Sequence, residues 1–305
     1  MAFDPDRLIE RRRLKRGVII WRTLAIVALV VLAIVSVVRF GYDGALGDHV
    51  VRLWVDGIVL DDPSLEAALD KVAEDAAAKA VIVRIDSPGG TATGGESIFL
   101  ALRRVAEKKP VVAVMGTTAT SGAYMVAIAA DHVLARVSSI TGSIGVILQT
   151  AELTELLADL GIKAEAIKSA PLKAQPSPFE PLTDDARAAV KTVIDDTYGL
   201  FVDMVAERRK LPREAVLWLA DGRVFTGRQA KEAGLIDAIG GELEAREWLE
   251  TSRAVSVDLP VRDLRRTDLE DDWLDSLGSR LGNAIVPARL RLDGLVSLWQ
   301  AQLGK

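Results

Sequence analysis

The sequence predicts an α/β fold built on a largely parallel sheet. Short apolar runs such as 80-AVIVRID-86 and 111-VVAVMG-116 show no alternation of polar and apolar residues, as expected of strands buried on both faces. Segments of helical periodicity separate these runs, and small-residue turns close them at 87-SPGG-90 and 117-TTATSG-122.

Taken in order, Val50 to Val55 and Gly57 to Leu60 are rich in β-branched residues and predict a first strand or hairpin. Pro63 to Lys79 carries Leu65, Ala68, Leu69 and Val72 at helical spacing. The run 80–86 is the next strand and ends at SPGG. A helix fits Thr93 to Lys108, a strand 111–116, a third helix Ser121 to Ala130, and further strands 132-HVLARV-137 and about 144-IGVIL-148. Glu152 to Leu160 predicts a helix, 163-KAEAIKS-169 an alternating strand, and 171-PLKAQPSPFEP-181 a proline-rich loop. A long helix is expected from about Thr183 to Arg209, with Thr183 as its cap and Asp184 and Asp185 at its positive end.

Before this body, Arg11, Arg12, Arg13, Lys15 and Arg16 precede an apolar run from Val18 to Val38, interrupted only by Arg22, Thr23 and Ser36. At ~1.5 Å per residue the run spans roughly 31 Å, enough to cross a bilayer core. No A-x-A cleavage pattern follows in 39-RFGYDGALGDHV-50, so the run reads as an uncleaved single-pass anchor in the cytoplasmic (inner) membrane. Its basic flank belongs in the cytoplasm, which sends the body to the extracytoplasmic side. The chain thus divides into a basic N-terminus (1–17), an anchor (18–38), a linker (39–49), a body (50–260) and a C-terminal extension (261–305) of no legible role.

Composition narrows the chemistry. With 305 residues, half of them apolar, the chain has ample material for a core, and a net charge of −5 without a basic stripe gives no support for a nucleic-acid partner. The absence of cysteine excludes disulfides, thiolate metal sites and a cysteine nucleophile. No phosphate loop is formed, since Gly95 stands where its lysine belongs, and there is no H-E-x-x-H; neither a cofactor nor a metal is inferred.

Parallel α/β sheets bind ligands beyond the carboxyl ends of their strands, which is where SPGG and TTATSG lie. Gly89 and Gly90 allow backbone amides to approach a ligand closely, and Ser121 sits where a helix begins and unpaired N–H groups point outward. An oxyanion formed there would be stabilised, which suggests acyl transfer at a serine. The bland alternative is that Ser121 merely caps the helix.

A serine nucleophile needs a base, and only His49 and His132 are available as histidines. His49 borders the linker and His132 opens an apolar strand, so a Ser-His-Asp triad is poorly supported. A lysine serves if it is kept uncharged by burial away from carboxylates. Lys163, Lys168 and Lys173 all follow the serine. Lys173 stands out because 170-APLKAQPSPF-179 contains no acid, although spacing alone selects none of the three.

The series 85-IDSPGG-90, 120-TSGAYMVAIAAD-131, 141-TGSIGVI-147, 171-PLKAQPSPFEPLT-183 and 222-GRVFTGRQAKEAGLID-237 resembles the bacterial signal peptide peptidases of the serine–lysine type, in their membrane-anchored single-domain form. The resemblance covers roughly Val50 to Leu249. It implies a crotonase-like or Clp-protease-like parallel-sheet spiral, with Ser121 as nucleophile and Lys173 as general base. It also implies an oxyanion hole from Gly89 or Gly90 and Gly122, and Ser143 as the hydroxyl that positions the lysine. Leu172 and Ala174 depart from the aromatic and aspartate expected beside that lysine, which keeps Lys168 as its rival. Cleaved signal peptides are the implied substrates and a homo-oligomer the implied assembly. Two other classes share parts of the pattern: a non-catalytic membrane scaffold, and a crotonase-like acyl-thioester enzyme whose paired amides hold an enolate.

Overall fold

The computed structural model describes residues 21–30 and 47–264. It divides into two units, Met1–His49 and Val50–Lys305. In the first, residues 21–30 form helix α1 with every side chain exposed; the remainder of the expected anchor lies outside the described residues. Among the described residues no helix is long and apolar enough to cross a membrane.

The second unit alternates strand and helix as expected. β1 (His49–Val59) leads into α2 (Pro63–Glu74), β2 (Ala78–Gly90), α3 (Ala92–Ala106), β3 (Val111–Thr120) and α4 (Gly122–Ala127). After β4 (His132–Ala135), β5 (Ile140–Gly142) and α5 (Thr154–Asp159) comes the long α6 (Asp184–Arg209). The described chain closes with α7 (Arg213–Leu219), β6 (Val224–Thr226), α8 (Gly227–Glu232), β7 (Ala238–Ile239), α9 (Glu242–Arg253) and β8 (Val261–Asp263). Side-chain oxygens of Asp62, Thr91 and Thr183 accept first-turn amides and so fix where α2, α3 and α6 begin.

The strands form one sheet in the order β6-β5-β3-β2-β1-β8, with β4 joining β3 to β7. Of the described pairings only β5 with β6 is antiparallel. β2 and β3 lie at the centre, and their side chains alternate between two cores. Val81, Val83, Ile85, Ala113 and Met115 face the α3, α4 and α6 side, while Ala80, Ile82, Val112 and Val114 pack with Ala245 and Leu249 of α9. Burial on both faces is why these strands read as continuous apolar runs.

Several boundaries differ from expectation, each for a tertiary reason. Residues 50–60 form one strand and no hairpin, because Gly57 (φ +66°) bends the chain without reversing it. The strand expected at 144–148 sits earlier, at Ile140–Gly142, where Thr118 to Thr120 provide a free edge. The alternating run 163–169 is irregular, and Ile167 is 99% exposed: no described strand offers its apolar side a partner. α4 ends at Ala127, three residues early, because Ala129 and Ala130 turn back with amides bonded to Val126 and Ala127.

Candidate active site

The pairing of β3 changes along its length, and this builds the site. Val112 to Met115 pair with β4, whereas Thr118 to Thr120 pair with β5. Between them the register against β2 slips, Ile85 facing Met115 but Ser87 facing Ala119, so the end of β3 bulges before the chain turns into α4.

Ser121 occupies that turn with φ 55° and ψ −126°, a conformation that L residues rarely adopt. Its N–H donates to the Gly142 carbonyl at 2.8 Å, and its own carbonyl accepts the Met125 amide at 3.0 Å. The hydroxyl makes no capping bond, in contrast to Thr91 and Thr183 at the heads of α3 and α6. Ser121 is therefore not the structural cap its position in the sequence allows. The strained strand-to-helix turn places Ser121 immediately before the first amides of the following helix.

Helix α4 is immobilised along its length. All six residues are buried, and the Tyr124 hydroxyl donates to the Leu235 carbonyl at 2.8 Å. Just past its end, Arg208 of α6 donates to the carbonyls of Ile128 (2.9 Å) and Ala130 (3.0 Å), and Arg103 of α3 to that of Ala129 (2.8 Å). Two guanidinium groups thus satisfy carbonyls that the helix terminus leaves open. Burial and the neighbouring Arg103 lower the Arg208 pKa from its usual value.

The SPGG turn closes over Ser121 from β2. A methyl group on Gly89 (φ +102°) would lie 2.7 Å from the Thr120 carbonyl oxygen and 2.8 Å from Ser121 Cβ, and one on Gly90 would overlap the Val59 carbonyl at 1.8 Å. Both glycines are required by close approach. The Gly89 N–H is engaged by the Ser87 hydroxyl at 3.0 Å. Two residues on, the Thr91 N–H reaches the Val59 carbonyl of β1 at 2.9 Å. The Gly90 amide nitrogen lies 3.4 Å from a methyl placed on Gly122. Ser143, one residue beyond the Thr120 and Gly142 pair, also has positive φ (51°) and is tied by its N–H to the Arg223 carbonyl at 2.8 Å.

Ser121, Gly89, Gly90, Gly122 and Ser143 thus come together, drawn from three segments. No contact of Lys173 with them is found among the described residues. It is exposed, and among the described residues its ammonium has no hydrogen-bond or ion-pair partner. The ammonium of Lys168 is committed to the Glu180 carboxylate, which Gln175 also contacts. His132 stacks on Trp248 (4.6 Å between centroids) and pairs in register with Val112, nine residues before Ser121 and at the far end of the sheet. His49, at the head of β1, is buried and its Nδ1 lies 3.2 Å from the Gly47 carbonyl oxygen. Among the described residues no cluster of side chains is arranged to hold a metal ion.

Residues 103–256 match the model of peptidase family S49. The chain belongs to that family. A candidate protease of Synechocystis sp. is 39% identical over 220 residues, covering 70% of this chain and 79% of its own. A candidate signal peptide peptidase of Enterococcus faecium is 29% identical, covering 80% and 73%. The chloroplastic serine protease SPPA of Arabidopsis thaliana is 34% identical over 86% of this chain, which spans only 38% of that longer protein. The family expected from the motif series is borne out, and the S49 chain is a serine protease.

Proposed function

We propose that this S49 protease is an endopeptidase with Ser121 as nucleophile and Lys173 as general base, acting on residual signal peptides and other short apolar peptides. The carrying observation is the strained turn at Ser121, whose hydroxyl does not cap α4. In this reading the uncharged amine of Lys173 takes the Ser121 proton as Oγ attacks the scissile carbonyl carbon. The amides of Gly90 and Gly122 receive the oxyanion, and Ser143 orients the amine. Collapse of the tetrahedral intermediate breaks the C–N bond, and Lys173 returns the proton to the leaving amine. Water then attacks the acyl-enzyme by the same route, releasing the acid and regenerating Ser121.

A base that acts as a free amine works best when shielded from water, and the loop carrying Lys173 is exposed, so in this reading the loop is covered in the working enzyme. The exposed Ile147, Leu156, Leu160, Ile162 and Phe179 around that loop favour covering by a second copy of the chain, in a Clp-protease-like assembly. The apolar, basically flanked N-terminus supports a tether in the cytoplasmic membrane with the catalytic body outside.

The test is covalent labelling. Treatment with a fluorophosphonate should place one adduct on Ser121 by mass spectrometry, absent in Ser121→Ala and much slower in Lys173→Met. An unlabelled wild-type Ser121 in an enzyme that still hydrolyses peptides would overturn the assignment.

A further inference from the structure

We infer that Ser87 is a positioning residue for the oxyanion hole, setting the direction of the Gly90 amide through a hydroxyl buried beneath the SPGG turn. The inference rests on the reading of Ser121 as nucleophile and deepens it. Ser87 is fully buried, an unusual place for a hydroxyl unless both its donor and acceptor capacities are used. Both are: Oγ donates to the Gly57 carbonyl at 2.6 Å and accepts the Gly89 N–H at 3.0 Å.

The second bond matters because of which peptide unit it grips. The Gly89 N–H and the Pro88 C=O belong to one planar unit. Its carbonyl end is held as well, by the Thr120 hydroxyl at 3.0 Å, and Thr120 is the residue before the nucleophile. The Pro88–Gly89 plane is thus pinned at both ends, once from β1 through Ser87 and once from β3 through Thr120. With that plane fixed on one side, and the Gly90–Thr91 plane fixed on the other by the bond from the Thr91 N–H to the Val59 carbonyl, the intervening peptide that carries the Gly90 amide has little freedom to turn away from Gly122.

Ser87 also repairs a break in the sheet. The Thr91 N–H bonds directly to the Val59 carbonyl, and the same spacing sets Gly89 opposite Gly57. There the Ser87 hydroxyl is inserted between amide and carbonyl. Without it, the Gly89 N–H would be buried and unpaired, and rotation of the pinned plane toward another acceptor would carry the Gly90 amide with it. An oxyanion donor stabilises the transition state in proportion to its aim, so the loss should fall on kcat.

The experiment uses the full-length enzyme, with rates normalised to the fraction of sites titrated by a fluorophosphonate. Ser87→Ala should lower kcat roughly 10- to 100-fold with KM within about threefold, and weaken a peptide aldehyde inhibitor by a similar factor. A kcat within about threefold of wild type, or a loss confined to KM, would overturn the inference. Should Ser87→Ala not fold, the isosteric pair Ser87→Thr and Ser87→Val decides: the hydroxyl-bearing variant should keep kcat and aldehyde affinity while the other loses both. Equal behaviour of the two would show that bulk, and not the hydroxyl, matters. Failure of the parent reading is distinct, since wild-type Ser121 would then take no phosphonate at all.

Discussion

Gly89 and Ser121 are in contact to the limit of packing: a single methyl on the glycine would stand 2.8 Å from the serine Cβ. At φ +102° that methyl would also strain its own backbone. Gly89→Ala should therefore push the turn off the nucleophile, lowering kcat/KM by roughly 100-fold or more and stability by about 1–3 kcal/mol. Peptide hydrolysis and thermal unfolding measure the two effects; an active, equally stable Gly89→Ala enzyme would show that the approach is not needed.

Ser121 itself is held at a cost. Its φ of 55° and ψ of −126° suit glycine and no other residue. Ser121→Gly should remove this strain and unfold at higher temperature than Ser121→Ala, by about 1 kcal/mol in stability, while both are inactive. Equal stability of the two would mean that the turn is relaxed.

How much of this the sequence disclosed differs from residue to residue. The central strands are legible because Val81 to Val83, Ile85 and Val111 to Met115 are buried on both faces, which leaves a nearly continuous apolar signature broken only by Arg84. SPGG and Ser121 were legible as a turn and a helix entry. The left-handed turn at Ser121 was not, because it is imposed by a bond to Gly142, a residue 21 positions away in another strand. Nor could Ser87 be told from any turn serine, or Arg208 and Arg103 from surface cations, since the partners that hold them are mainly backbone groups that every residue carries. In the run 163–169 the apolar alternation finds no partner strand among the described residues, so the segment is irregular and largely exposed.

Stability should fall on mild acidification, chiefly through His132. Its burial depresses its pKa below 6.5, against the attraction of Asp237. The unfolded chain then takes the proton first, so the contribution is complete above 6.5 and is lost as pH falls through the folded value. Asp237 adds a second loss at lower pH. Burial would raise its carboxyl pKa, but paired bonds from Arg209 at 2.7 and 2.9 Å hold it below 3.8. His132→Phe keeps the stack on Trp248 and cannot titrate. It should flatten the fall in Tm as pH drops below 6.5; an unchanged slope would place the titrating group elsewhere.

Arg208 ties α6 to the end of α4 through two carbonyls. Arg208→Ala leaves both without that partner and should cost about 2–3 kcal/mol in urea unfolding. Arg208→Lys should recover only part, because one ammonium cannot reproduce the paired geometry of the guanidinium. Full recovery would reduce the clamp to a matter of charge.

The two lysines of the loop region differ sharply in their surroundings. Lys168 is already engaged by Glu180, while Lys173 is exposed with no partner among the described residues. If Lys173 is the base, it needs a covering protein surface, and none is formed among the described residues of the chain, where it is exposed. Specific activity should therefore rise with enzyme concentration, in step with self-association followed by sedimentation. Lys173→Met should abolish activity at every concentration without changing the association. Lys168→Met should retain most activity, since it removes an ion pair and not the base. An enzyme whose monomer is fully active, or whose activity survives Lys173→Met and is lost in Lys168→Met, would transfer the role of base to another amine.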